Sequence, residues 1–220
     1  MTPTESYDCV IIGGGPSGAT VATLLADRGH RALLLEKSTF PRHHVGESLV
    51  PHTYFSFKRL GLLDKLRASS FPSKESVQFV SASGKDSQPF YFTDRDPGEW
   101  STTWQVTRDQ FDRMMLDNAR DRGAEIHQGV RVERVLFDGS RAVGVQAGGE
   151  IRAKVVVDAS GQSAMLSRQI NTYRPDPDLK NGSIYAYFKG ALRDQGRNSG
   201  ATIVINAPNH NGWFWFIPLE

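Results

Sequence analysis

Apolar positions along the chain switch between two periodicities, and the switches mark out its elements. Tyr7, Asp8, Cys9, Val10, Ile11 and Ile12 form a short, mostly apolar run with β-branched residues at its end, which predicts a strand buried on both faces. After a cluster of glycines, Ala19, Ala22, Leu25 and Ala26 predict a helix with a small-residue face for packing on a sheet, opened by Pro16 and closed by Gly29. The run 32–35 predicts a second strand, ending in Glu36. Two short helices follow over 51–60 and 62–68, broken at Gly61, with Phe55, Leu60, Leu63 and Leu66 as apolar contacts. Strands are predicted over 77–80 and 90–92, either side of a turn-rich 81–88.

Thr107 and Gln110 have capping-box spacing before a helix over 108–122, whose Phe111, Met114, Met115 and Ala119 follow the helical period and which Gly123 ends. A third parallel strand is expected over 125–128, then a meander of strands over 130–137, 141–146 and 151–157 that runs into Asp158, Ala159, Ser160 and Gly161. A short helix over 163–169, a Pro/Asp-rich loop over 171–182, strands over 184–188 and 202–205, and an aromatic run from Trp213 to Pro218 complete the chain.

Gly13, Gly15 and Gly18 spell GxGxxG between the first strand and its helix. The first glycine permits the turn, the second lets backbone approach a pyrophosphate, and the third brings helix and strand together. Pro16 and Ser17 stand within the same turn. Glu36 lies eighteen residues past Gly18, at the distance where a carboxylate accepts hydrogen bonds from ribose hydroxyls. Strand, turn, helix, strand and acid together predict a dinucleotide site.

Composition narrows the function classes. The 220 residues suffice for one good-sized core, and 26 basic against 24 acidic residues give a net charge of only +2, so nothing suggests a nucleic-acid partner. Cys9 is the only cysteine, which leaves no disulfide framework and no thiolate metal site. No apolar run approaches membrane-spanning length and no basic leader precedes the first strand, so a cytoplasmic location without a transmembrane segment is expected.

The loop 38–48 carries Arg42, His43, His44 and Ser48. The adjacent histidines share no face and have no companion ligand, so no metal is expected; Arg42 is either a solvated arginine or a partner for a phosphate. Lys74, in Phe71-Pro72-Ser73-Lys74, reads as a solvated lysine in an open loop, where substitution would disturb little packing. Trp213 and Trp215 lie two apart on a strand, hence on one face, and would serve as core aromatics. Arg108 stands one helical turn before Asp112 and could pair with it.

Taken together, GGGPSG at 13–18, FPRHHVGESLVP at 40–51, Arg108 with Phe111 and Asp112, VVVDASG at 155–161 and WFWFIP at 213–218 resemble the flavin-dependent halogenases, a branch of the FAD-dependent monooxygenase superfamily that also holds geranylgeranyl-reductase-like enzymes. The resemblance implies an α/β chain: a Rossmann-like FAD-binding domain of the p-hydroxybenzoate-hydroxylase-like class over 1–70 and 101–170, with an inserted and C-terminal antiparallel sheet of a substrate domain over 71–100 and 171–220. Family members are much longer and carry a glycine-aspartate motif beyond the tryptophan motif, so a truncated form is expected. The implied cofactor is FAD, contacted by Gly13, Gly15, Pro16, Ser17, Gly18, Glu36, Lys37, Arg42, Ser48, Arg108, Asp158 and Gly161. The implied reaction combines reduced FAD, oxygen and halide to give an electrophilic halogen species for an aromatic substrate, free or carrier-bound, with a separate flavin reductase as partner. Lys74 would relay the oxidant, and Trp213 and Trp215 would shield it from direct oxygen insertion. The alternatives are a monooxygenase or reductase of the same fold, in which Lys74 is incidental, and a non-catalytic FAD-binding remnant.

Overall fold

The computed structural model describes residues 6–209 and 211–219. In chain order the elements are β1 (Tyr7–Ile12), α1 (Pro16–Ala26), β2 (Ala32–Glu36), α2 (Thr53–Leu60), α3 (Leu63–Arg67), β3 (Ser73–Lys74), β4 (Ser76–Val80), β5 (Phe90–Tyr91), α4 (Phe92–Arg95) and β6 (Thr103–Trp104). There follow α5 (Arg108–Asp121), β7 (Glu125–Gln128), β8 (Arg134–Asp138), β9 (Arg141–Gln146), β10 (Glu150–Asp158), α6 (Met165–Gln169), β11 (Thr202–Asn206) and β12 (Trp213–Phe216). They fall into two compact units, one of residues 1–43 and 109–185, the other of 44–108 and 186–220. The segment 44–70, expected with the nucleotide-binding part, thus groups with the second unit.

The first unit is built on a six-stranded sheet in the order β7-β2-β1-β10-β9-β8. Its centre is parallel: Val10 lies opposite Leu33 of β2 and Val156 of β10, and Leu35 lies opposite His127 of β7. β10 is long enough to serve two neighbours, since Glu150–Arg152 pair antiparallel with β9 before the strand runs on along β1. Parallel strands carry apolar residues on both faces when both are covered, and β1 and β2 do so. Val10, Ile12, Leu33 and Leu35 join Val132, Val135, Val145 and Ala153 in one core, while α1 packs on the same two strands with Ala19 and Ala22 fully buried. Two expectations change. Residues 130–133 precede β8 rather than extending it, and Thr107 makes no capping box, because its hydroxyl is buried without a hydrogen-bond partner.

The second unit holds a four-stranded sheet, β12-β11-β4-β5, and the two-stranded ladder β3-β6. The expected antiparallel sheet has one parallel pair at its centre, with Thr202 of β11 opposite Val77 of β4. Such a pair needs a long crossover connection, and more than a hundred residues separate the two strands. Gly61 ends α2 in a left-handed conformation at φ 69°, as the break predicted. The buried faces of α2 and α3 are Tyr54, Phe57, Leu60, Leu63 and Leu66, whereas Phe55 is half exposed. Phe92 starts a helical turn instead of continuing a strand. The strand expected over 184–188 is absent: no strand pairs with it, and Ile184 and Phe188 are exposed.

β3 joins this unit through a close approach at Gly200, where a Cβ would come within 1.9 Å of the Ser73 carbonyl oxygen. Backbone meets backbone there, so no side chain can rotate aside. Gly200→Ala is expected to destabilise the protein by about 1–3 kcal/mol, as overpacking does, and to lower the urea midpoint at unchanged m-value.

Candidate functional site

In the first unit the site begins at the glycine turn after β1. Gly13 has φ +105°, donates its N–H to the Leu35 carbonyl at 2.8 Å, and would place a Cβ 2.5 Å from the Ala159 oxygen. A Cβ on Gly18 would stand 1.9 Å from the Gly13 oxygen. Both glycines are therefore demanded by the protein's own backbone. Gly15 is not: its φ is −70°, and a Cβ there would meet only Nη2 of Arg42 at 3.8 Å. No backbone of the chain fills the space beside Gly15. Helix α1 starts at that point with no side-chain cap, no acidic residue in its first turn, and Pro16 and exposed Ser17 leading it. Uncapped helical N–H groups attract anions.

Arg42 stands beside this opening. Its guanidinium lies 4.6 Å from the Phe40 ring centroid and 3.3 Å from the carboxylate of Asp112, which is wholly buried on α5. Nη1 is buried without a hydrogen bond in this arrangement. A cation held from behind, with its other nitrogen toward Gly15, suits a phosphate. Asp112 is a site member that the sequence does not single out, although it stands in the motif with Arg108 and Phe111.

Glu36 is buried at the end of β2, and its carboxylate accepts N–H groups from Gly14 at 2.6 Å and Ser38 at 2.8 Å. It braces the turn and keeps lone pairs for further donors. Lys37, next in the chain, is exposed. Asp158 ends β10 opposite Ile12 and accepts N–H groups from Ser160 and Leu166, which ties the Asp158–Gly161 turn to the start of α6. Burial pushes its pKa up, but hydrogen bonds from Ser160 and Leu166 outweigh that and hold it below the usual value. Gly161 has φ +62° and open surroundings. This first-unit set fits a dinucleotide: a phosphate cradle at Gly15, a cation beside it, and a carboxylate one strand away.

The second unit holds the remaining site residues. Arg108 donates from Nη1 to the Val45 carbonyl at 2.9 Å. Trp213 and Trp215 lie on the edge strand β12, opposite Asn206 and Val204, and are 59% and 60% exposed, so they are not core aromatics. Lys74 departs furthest from expectation. Instead of an open-loop lysine it is a strand residue, 5% exposed, directly opposite Thr103 in the β3-β6 ladder. Its Nζ donates to Ser48 Oγ at 2.9 Å and to the Leu49 carbonyl at 3.0 Å, and lies 5.7 Å from the Phe92 ring centroid. Burial lowers its pKa from 10.5 to about 8.

Comparison with known proteins gives the chain a family. The family described as "FAD binding domain" matches residues 6–219. Over 98% of its length the chain is 34% identical to a 1H-pyrrole-2-carbonyl peptidyl-carrier-protein chlorinase of Pseudomonas fluorescens, covering 54% of that protein. It is 31% identical to a tryptophan 2-halogenase of Chondromyces crocatus, covering 42% of it. Among solved structures, a myxobacterial chondrochloren halogenase superposes with a TM-score of 0.83 at 34% identity, over 98% of this chain and 51% of the other. The chain spans about half the length of the curated relatives it matches. Among the described residues no helix is long and apolar enough to cross a membrane.

Two outcomes test the site. Gly15→Val is expected to fold with a near-parental melting temperature yet lose FAD binding by fluorescence titration, whereas Gly18→Ala loses about 1–3 kcal/mol of stability through its backbone clash. Unchanged FAD affinity in Gly15→Val would remove the cradle. For Lys74, the unfolded chain holds the proton more tightly than the fold does, so stability rises as pH climbs from about 8 toward 10.5. Urea midpoints across that range are expected to show this rise in the parent and a smaller one in Lys74→Met.

Proposed function

Because this chain belongs to the FAD-binding-domain family and is related to flavin-dependent halogenases along nearly its whole length, we propose that it supplies the flavin-binding part, and the reactive amine, of a flavin-dependent halogenase. Bound reduced FAD supplies, with oxygen and halide, an electrophilic halogen equivalent. The chain's own residues do the rest. The α1 N-terminus and Arg42 bind the pyrophosphate, Glu36 takes ribose hydroxyls, and the turn at Asp158 and Gly161 closes the cofactor side; Lys37 and Ser17 border it. Trp213 and Trp215 keep the organic substrate from the flavin.

The observation that carries the reading is Lys74. It is a primary amine, nearly solvent-free, whose neighbours are two neutral oxygens and an aromatic ring. A lysine with pKa about 8 keeps roughly a fifth of its population neutral near physiological pH, and a neutral amine can hold an electrophilic halogen or hydrogen-bond it toward an electron-rich ring. Relatives named as acting on pyrrolyl groups of a carrier protein favour a carrier-bound aromatic substrate. A separate reductase would supply reduced flavin in the cytoplasm.

Lys74→Met retains volume and should keep the fold. Supplied with a flavin reductase, chloride or bromide, and a panel of phenols, pyrroles and indoles, a full-length parent is expected to give halogenated product by mass spectrometry. The variant should bind FAD and consume oxygen while product falls by at least about a hundredfold, the scale of a lost catalytic group. Oxygenated rather than halogenated product from the parent would overturn the reading.

A further inference from the structure

The surroundings of Lys74 have a direction. The strand β6 lies between β3 and the segment 47–49: Thr103 faces Lys74 on one side, and Ser48 bridges to Gln105 on the other, with Leu49 donating its N–H to the Trp104 carbonyl and Val106 donating to the Glu47 carbonyl. Residues two apart on a strand share a face, so Thr103 and Gln105 present their side chains together. Gln105 is wholly buried, and its Nε2 donates to the Gly200 carbonyl at 2.8 Å and to Thr202 Oγ1 at 2.9 Å. Thr202 Oγ1 is in turn 2.9 Å from Ser48 Oγ, and Ser48 Oγ 2.9 Å from Lys74 Nζ.

A carbonyl only accepts, so the Gln105 amide cannot flip without setting its oxygen against the Gly200 oxygen. The orientation is kept even though it leaves Gln105 Oε1 buried without a partner. With Nε2 fixed, Thr202 Oγ1 accepts from Gln105 and its own hydrogen is free for Ser48 Oγ. The Ser48 hydrogen is then free for the next atom, the Lys74 nitrogen. Counting hydrogens along the chain decides between the two states of the amine. When Lys74 is neutral, its lone pair accepts from Ser48 and the hydroxyl hydrogens of Ser48 and Thr202 both have acceptors; the Thr103 hydroxyl, buried without a partner, stands outside the chain. When Lys74 is an ammonium it must donate to Ser48, and one hydroxyl hydrogen of Ser48 or Thr202 has no acceptor among these groups.

We propose that Gln105, Thr202 and Ser48 form a one-directional hydrogen-bond chain that presents Lys74 as a free amine with its lone pair oriented by the Ser48 hydroxyl. These three are positioning residues. The chain begins at Gly200, whose carbonyl sets the amide. The purpose given to that amine rests on the halogenase reading, but the chain itself does not.

Charged neighbours do not explain the same effect. Glu75, next to Lys74, turns to Arg197 at 3.0 Å; Glu47, next to Ser48, accepts the Gly46 N–H at 2.8 Å and the Tyr187 hydroxyl at 2.6 Å. Thr103 on β6, Thr202 on β11 and the Phe92 ring on α4 carry no charge. Burial, rather than any neighbouring charge, lowers the Lys74 pKa.

The experiment is a titration of Lys74 by side-chain lysine NMR in the parent, Ser48→Ala and Gln105→Leu, with Lys74→Met assigning the signal. Ser48→Ala removes the donor to the lone pair, and Gln105→Leu removes the donor that fixes the Thr202 hydrogen, leaving Thr202 Oγ1 open to accept from Ser48, which lets the chain reverse toward an ammonium. Both are expected to raise the Lys74 midpoint by about 0.5–1 pH unit, the scale of one neutral hydrogen bond. A lowered midpoint in Ser48→Ala would show that Ser48 only accepts from an ammonium and would overturn the proposal, as would no shift. Ser48 is only half-buried, so its variant decides the matter should Gln105→Leu fail to fold. No flavin, halide or product enters the measurement, which keeps its failure distinct from failure of the halogenase reading.

Discussion

Backbone pressed on backbone at the glycine turn is the constraint on which the first unit depends. Gly18 meets the Gly13 oxygen, and Gly13 meets the Ala159 oxygen, at separations that leave no room for any Cβ. These contacts seat the start of α1 on the ends of β1 and β10, so the uncapped N–H groups of the helix, the Glu36 carboxylate and the Asp158 turn all meet at the C-terminal ends of the parallel strands. That is where open α/β sheets bind ligands. Gly15 is the informative exception. Two of the three glycines answer to the fold, and the third is left unconstrained by it, a separation that the spacing alone cannot express.

What was legible in the sequence is what local periodicity controls. β1, α1, β2 and α5 appear where the apolar pattern put them, because each buries a face whose spacing is fixed by its own geometry. Glu36 and Arg42 fall near the turn because they belong to the same short βαβ unit and the loop after it. Contacts between distant segments were not legible. The β3-β6 ladder pairs Ser73 and Lys74 with residues some thirty positions on, so the stretch around Pro72 looked like an open loop and the burial of its lysine could not be read. The β4–β11 pair spans a still longer separation. The segment 184–188 erred in the opposite sense: its aromatic and β-branched residues suit a strand, but a strand needs a neighbour to pair with.

The two units divide the chemistry in kind as well as in sequence. The first gathers a helix terminus, a guanidinium and a carboxylate, charged or dipolar groups of the kind that suit an anionic ligand. The second surrounds one amine with neutral donors and acceptors. Burying a lysine without a counter-ion is unfavourable for its charged form, and a methionine of similar size would fill the space between β3 and the Ser48 segment with no such penalty.

The departure from what stability favours therefore needs a reason, and the hydrogen-bond polarity supplies one. Desolvation alone makes an ammonium costly, yet it leaves the amine free to turn its lone pair anywhere. A fixed donor on that lone pair makes the neutral state both populated and oriented. The same arrangement explains why the Gln105 amide gives up a partner for its oxygen: reversing it would satisfy that atom and set two oxygens against each other at Gly200, removing the direction from the chain. Gly200 thus has two duties, since its missing Cβ admits the Ser73 carbonyl that carries β3 into place and its own carbonyl sets the polarity read three hydrogen bonds later at Lys74.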